Sequence, residues 1–262
     1  MNKLSALAFD LDGTIYYGDR AIEGARQTLE QLASRGTRIF YFTNNSAKTR
    51  EQICDKLNRL GFTAEPRQTY SASYAILRYV NDHQIRNACV VGTDALKNDL
   101  EKHGVAVNRS ADAPCVIVGF SPAFHYGDIA MAQEMIEKGA RFIIANADAS
   151  YPVGRDKRLP ACGAMVGAIV GATSHAPDVV IGKPNTYMLE LLTNDHGISR
   201  DELCVVGDSP DSDIKMAEYF KCHSILFDPE NAFAAFKGNR IRNHREIIAI
   251  VDNGRGDAHE RS

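Results

Sequence analysis

Short apolar runs alternate with helix-spaced apolar positions along most of the chain. Residues 4–9 form an apolar run that stops at Asp10, after which Ile22, Ala25, Leu29 and Leu32 recur at helical spacing and Gly36 supplies a stop. Residues 37–42 predict a second strand, rich in aromatic and β-branched side chains, that runs into Thr43-Asn44-Asn45. Thr49 and Gln52 form a capping-box pattern ahead of an apolar stripe at Ile53, Leu57 and Leu60, which Gly61 closes. A short strand near 68–70 and a helix over 71–80 follow, and further strands are predicted at 88–91, 115–118, 141–145, 179–181, 203–206 and 224–227. Most of these strands are continuously apolar rather than alternating. Strands buried on both faces read that way, so the pattern predicts an α/β fold with a parallel sheet covered by helices.

Composition narrows the function classes. Of the 262 residues, 44% are hydrophobic and 24% charged, ordinary values for a globular chain, and the formal net charge of -3 argues against a nucleic-acid partner. The small-apolar stretch at 161–173 is too short to span a bilayer, which takes about 20 apolar residues, so no membrane partner is expected. Within that stretch Gly163, Gly167 and Gly171 recur every four residues, a pattern that fits close helix packing in a core. None of the six cysteines forms a C-x-x-C pair, and several sit in apolar runs, which fits a reducing, cytoplasmic setting. The polar, glycine-containing segment 253–262 is expected to be a disordered tail.

Four polar clusters directly follow apolar runs: Asp10-Leu11-Asp12-Gly13-Thr14, Thr43-Asn44-Asn45, Gly182-Lys183-Pro184, and Gly207-Asp208-Ser209-Pro210-Asp211-Ser212-Asp213. Ligands of open parallel sheets bind beyond the carboxyl ends of the strands, so all four are expected at one edge of one sheet. Each alone has a plain explanation: a turn, a solvated lysine, a helix cap, a surface acid. Their conjunction points to chemistry. Asp10, Asp12, Asp208 and Asp213 bring four carboxylates against one lysine, and two like charges about 4 Å apart repel by about 4 kcal/mol at an effective dielectric of about 20. Such a cluster needs a cation. The donors are all oxygens, which selects a hard ion, and a phosphate ligand with few carboxylates selects Mg²⁺. Lys183, Thr43 and backbone N–H groups could then receive the phosphate. Asp10 and Asp12, two apart, would leave one face of an ideally continued strand while Leu11 points into the core. Asp10, at the strand end, is read as the nucleophile and Asp12 as the general acid/base.

These residues resemble the four motifs of the haloacid-dehalogenase superfamily. More closely, Phe42-Thr43-Asn44-Asn45-Ser46 and Leu159-Pro160-Ala161-Cys162-Gly163-Ala164 are similar to its NagD-like branch, which includes pyridoxal-phosphate, phosphoglycolate and p-nitrophenyl-phosphate phosphatases. The resemblance covers the chain to about residue 250. It implies a Rossmann-like parallel-sheet core (1–81 and 179–252) interrupted by an inserted α/β cap domain (82–178). It also implies a Mg²⁺-dependent phosphatase that hydrolyses a small phosphorylated metabolite through an aspartyl-phosphate on Asp10. By similarity Asp10, the backbone of Asp12, and Asp208 hold the metal. Thr43 and Asn44 bind phosphoryl oxygens, Lys183 neutralises nucleophile and phosphate, and Asp213, Asn45 and Ser209 support the site. Asp148, in the Asn146-Ala147-Asp148 loop that resembles the family's specificity loop, is read as a substrate contact, with Tyr151, Arg155 and His125 as weaker candidates. A homodimer through the cap is an expectation of the same kind. One departure is visible: many relatives carry Asn-Leu-Arg-Thr-Asp where this chain has Ser209-Pro210-Asp211-Ser212-Asp213. A receiver-like phospho-switch and a phosphotransferase are the alternatives.

Overall fold

The computed structural model describes residues 4–108, 113–152 and 157–256. The chain opens with strand β1 (Ala6–Asp10), a small hairpin of β2 (Tyr16–Tyr17) and β3 (Arg20–Ala21), helix α1 (Ala25–Ser34), strand β4 (Arg38–Thr43), helix α2 (Arg50–Arg59) and strand β5 (Thr69–Ser71). There follow α3 (Ala72–Asp82), β6 (Asn87–Val91), α4 (Asp94–Lys102), β7 (Ala106–Val107), β8 (Cys115–Val118), α5 (Tyr126–Glu137), β9 (Arg141–Ile144), the hairpin β10 (Ser150–Pro152) and β11 (Arg158–Pro160), α6 (Cys162–Thr173) and β12 (Val179–Val180). The last stretch holds α7 (Tyr187–His196), β13 (Leu203–Gly207), α8 (Lys215–Phe220), β14 (His223–Phe227), β15 (Asn239–Ile241) and α9 (Glu246–Gly256).

Two compact units result, each an α/β body. One holds Met1–Thr43, Cys54–Tyr70 and Lys183–Ser262, and the other Asn44–Ile53 and Ser71–Gly182. The first is built on a six-stranded sheet in the order β15-β14-β13-β1-β4-β5, with β1 parallel to both β13 and β4. Its central strands are buried along their whole length, as in β1 (ALAFD) and β13 (LCVVG), because helices cover both faces of the sheet. The second is built on a five-stranded sheet in the order β12-β9-β8-β6-β7, parallel throughout. The inserted unit thus begins at Ser71 and ends at Gly182, wider than the 82–178 expected from the sequence, and takes in a piece around Asn44–Ile53 as well.

Local signals set the helix ends. Thr49 and Gln52 close their capping box, with Thr49 N–H donating to Gln52 Oε1 at 3.0 Å and Gln52 N–H to Thr49 Oγ1 at 3.4 Å. Ser71 Oγ accepts from Tyr74 N–H at 3.2 Å and starts α3. At the far end of α2, Gly61 takes φ +83°, a left-handed conformation open to glycine at little cost.

Three sequence expectations are corrected. Residues 179–181 do not join the sheet that carries Asp10. Val179 and Val180 pair with Ile143 and Ile144 of β9, and the ladder continues through Ile181 N–H to Ile144 O and Gly182 N–H to Ala145 O. The glycine stripe of α6 serves close packing only at Gly163, where a Cβ would strike the backbone oxygens of Ala147 and Asp148, whereas Gly167 and Gly171 face open space. The expected tail is helical through Gly256, held by buried Ile247 and Val251, and residues 257–262 lie outside the described residues.

Phe142, fully buried in the centre of β9, is a test of the second core. Phe142→Ala is expected to destabilise the protein by about 3–5 kcal/mol, read from denaturant unfolding.

Candidate active site

Neighbouring strands of the six-stranded sheet end together. In register, Asp10 lies opposite Phe42 and Phe9 opposite Val206, so Asp10, Thr43 and Asp208 emerge side by side at the carboxyl ends of β1, β4 and β13. Lys183 reaches this edge from the loop between β12 and α7 and not from a strand of the same sheet. Its Nζ donates to Asp10 Oδ1 at 2.5 Å and to Asp213 Oδ1 at 2.6 Å, and all three side chains are buried. The Thr14 hydroxyl lies 3.2 Å from Asp10 Oδ2 and 3.4 Å from Asp208 Oδ1, so its one proton is shared between them. One oxygen each of Asp10, Asp208 and Asp213 falls within 4.8 Å of the other two.

Two glycines make the cluster sterically accessible. Gly13 sits at φ +96°, and a Cβ there would collide with the Asp208 carboxylate. A Cβ on Gly207 would collide with the Asp213 carboxylate. The departure at Ser209–Asp213 forms a single π-helical turn, Pro210–Ile214, closed by Ile214 N–H to Ser209 O at 3.2 Å. That turn carries Asp213 under Gly207 and leaves Asp211 exposed; Ser209 N–H steadies Asp213 by donating to its Oδ2 at 3.1 Å.

The two acids of the first motif differ in environment. Leu11 between them is buried, as strand alternation requires; Asp10 is buried and Asp12 exposed. Burial pushes the Asp10 carboxyl well above its ordinary range; Lys183 pulls it back, while the charges of Asp213 and Asp208 push it further up. Asp208 is pushed up to about 6 by burial and then by Asp213. Burial also opposes the charge of Lys183, yet Asp10 and Asp213 outweigh it and hold the ammonium above the usual lysine value. Asp12 Oδ2 accepts from the Tyr16 hydroxyl at 3.1 Å.

Asn44, Asn45 and Asp148 belong to the second unit. There Asn44 Nδ2 donates to Asp148 Oδ2 at 3.0 Å, and Asn146 Nδ2 donates to Asn44 O at 2.7 Å. The Asn45 carboxamide oxygen accepts from the N–H groups of Ala47 and Lys48, which fixes the turn into α2. Of the weaker candidates, His125 pairs with Asp128 at 2.7 Å at the start of α5, and Tyr151 packs edge-on against Phe120. Arg155 lies outside the described residues. Sequence reasoning gave no role to Thr14 or Tyr16, although both stand beside the D-x-D-G pair.

Residues 7–106 match a family model described as haloacid dehalogenase-like hydrolase, and residues 180–232 match one described as HAD-hydrolase-like. Phosphoglycolate phosphatase 1A, chloroplastic, of Arabidopsis thaliana is 31% identical over 250 residues, which cover 86% of this chain and 69% of that protein. The chain belongs to the haloacid dehalogenase-like hydrolases. An acid sugar phosphatase of Staphylococcus haemolyticus is 31% identical over 215 residues, 82% of this hydrolase and 81% of that protein. Among solved structures, a p-nitrophenyl phosphatase from Archaeoglobus fulgidus shares the fold at a TM-score of 0.88 and 22% identity, covering 95% of this chain and 99% of that one. A thermostable NPPase from Geobacillus stearothermophilus, a double mutant, superposes at a TM-score of 0.85 with 27% identity over 94% of this chain and 98% of that one.

The donor set of the hydrolase fits a divalent cation. Among the described residues, Asp10, Asp208 and Asp213 form the one acidic trio able to share an ion, and every donor is a carboxylate oxygen. The single positive charge of Lys183 leaves the trio with excess negative charge, which adds to burial, the larger cause, in pushing Asp10 and Asp208 up. Asp10 accepts from Lys183 and Thr14, and Asp213 from Lys183 and Ser209, so both are oriented by donors on both oxygens.

Gly207→Ala should displace Asp213, and Lys183 with it. A catalytic group misplaced by about 1 Å costs about 100-fold in rate. A loss of that order in kcat/KM is expected, measured on protein whose circular dichroism is unchanged.

Proposed function

We propose that this phosphatase hydrolyses small phosphate monoesters in two steps, with Asp10 as nucleophile and Asp12 as general acid and then base. In the first step an Asp10 carboxylate oxygen bonds to phosphorus while the bond from phosphorus to the ester oxygen breaks, and Asp12 gives its proton to the departing oxygen. In the second, Asp12 takes a proton from water as that water attacks the aspartyl-phosphate, releasing phosphate and restoring both carboxyl groups. Lys183, held charged by Asp10 and Asp213, offsets negative charge on the nucleophile and the incoming phosphate. Thr14 and Lys183 hold Asp10 by both oxygens and fix its orientation. Mg²⁺, held by Asp10 and Asp208, would supply the charge neutralisation that lets a phosphate enter a cluster of carboxylates.

The observation that carries this reading is the asymmetry of the D-x-D pair. One carboxylate is buried and clamped, as a nucleophile must be. The other is exposed and can exchange protons with water. Small acidic and polyol phosphates are the substrate class we favour. The names of the relatives, a phosphoglycolate phosphatase and an acid sugar phosphatase, support that choice.

The test is release of inorganic phosphate from a panel holding 2-phosphoglycolate, sugar phosphates, pyridoxal phosphate and p-nitrophenyl phosphate, with no added acceptor. Turnover with Mg²⁺ and its loss in EDTA are expected. A long-lived phosphoprotein after acetyl phosphate treatment, without turnover, would instead favour a switch, and a need for an acceptor would favour a phosphotransferase. Asp10→Asn should lose about 10⁴-fold or more of the turnover. Because it removes one of three crowded carboxylates, it should melt no lower than the unaltered protein in EDTA.

A further inference from the structure

His244 lies 230 residues from Thr14 in sequence, on the loop between β15 and α9, and is fully buried. Its Nε2 is 2.8 Å from the backbone oxygen of Thr14. A carbonyl oxygen can only accept, so Nε2 carries the hydrogen. Burial lowers the His244 pKa, which keeps the ring neutral and leaves Nδ1 as a bare acceptor. That Nδ1 is buried and has no hydrogen-bond partner among the described residues. An unpaired buried polar atom costs free energy, so stability alone is a poor reason for a histidine at this place.

The surroundings hold the ring in one pose. Phe227 packs against it with ring centroids 4.4 Å apart. The loop beneath is pinned by Glu246 Oε1, which accepts from the N–H groups of Arg242 and Asn243 and from Asn243 Nδ2 at 2.6–3.0 Å. At the other end of the contact, Thr14 belongs to a tight turn in which Leu11 O accepts from the N–H groups of Thr14, Ile15 and Tyr16. The Thr14 carbonyl faces His244, while its hydroxyl faces Asp10 and Asp208.

We infer that His244 is a positioning residue of the reaction centre: its Nε2–H fixes the Thr14 backbone so that the Thr14 hydroxyl stays between Asp10 and Asp208. The inference rests on the reading of Asp10 and Asp208 as that centre. It links the last loop of the core to the first motif, a connection that leaves no mark in the local sequence of either.

The experiment compares His244→Gln, whose Nε2 can still donate to Thr14, with His244→Leu, which cannot. The readouts are kcat and KM per folded molecule and the rise in melting temperature on adding Mg²⁺ alone. Leu is expected to lower kcat by about 10–100-fold with KM little changed, and to shrink the Mg²⁺-induced shift. Gln should restore both to near the unaltered values. Should the Leu variant not fold, His244→Asn, polar but too short to reach Thr14, takes its place with the same expected losses. Undiminished kcat and Mg²⁺ shift in the Leu or Asn variant, or equal losses with Gln, would overturn the inference while leaving the phosphatase reading intact. No turnover by the unaltered protein would overturn both.

Discussion

A buried ammonium clamped between two buried carboxylates, Lys183 between Asp10 and Asp213, sets the terms for everything around it. Removing such charges from water is costly, and only close, well-aligned partners offset the cost. The clamp therefore requires three distant parts of the chain to arrive together: the end of β1, the loop after β12 and the turn after β13. A parallel sheet meets this requirement because its strands all end at one edge. The clamp is also incomplete as a charge balance, since Asp208 adds a third carboxylate next to a single lysine. A fold optimised for stability would have removed one acid. Retaining all three suits the site proposed above, where a cation would offset the excess charge.

Steric tolerance then decides the loop sequences. Carboxylates can crowd only where the backbone beside them has no side chain, and Gly13 and Gly207 stand at the two places where a Cβ would meet a carboxylate. The turn after β13 solves the same problem in another way. By winding Pro210–Ile214 as one wide turn, it brings Asp213 back under the strand end, so the missing family arginine and the extra Asp211 leave the lysine clamp intact.

Much of this was legible in the sequence because it depends on short-range pattern. Continuous apolar runs gave the buried strands, nearly to the residue at Cys115–Val118, and the acids stood directly after them. What was not legible depends on long-range choice. Val179-Val180 is apolar whichever sheet it joins, and its ladder to β9 is decided by where the chain has come from. Gly167 and Gly171 share a spacing with Gly163, but spacing does not say which glycine meets a neighbour. The Asp148 carboxylate accepts from Asn44, a pairing across 104 positions that no local signal announces. His244 is the extreme case, its partner lying at the other end of the chain.

The first motif also shows how one strand end can give two carboxylates opposite environments. Period-2 alternation sends Leu11 into the core, and the abrupt turn at Gly13 lets Asp12 leave the protein interior while Asp10 stays within it. Tyr16 then donates to Asp12. Burial first, and the nearby Asp12 charge second, raise the phenol pKa, so Tyr16 keeps its proton and can only donate to Asp12 when that acid is ionised. The hydroxyl restrains the rotamer of Asp12 without taking its proton. Lys183 and Thr14 restrain Asp10 in a corresponding way from the buried side. The proposed division of labour between two chemically identical side chains rests on depth and on which neighbour holds each, and both are fixed by the five residues Asp10-Leu11-Asp12-Gly13-Thr14 together with what the fold brings against them.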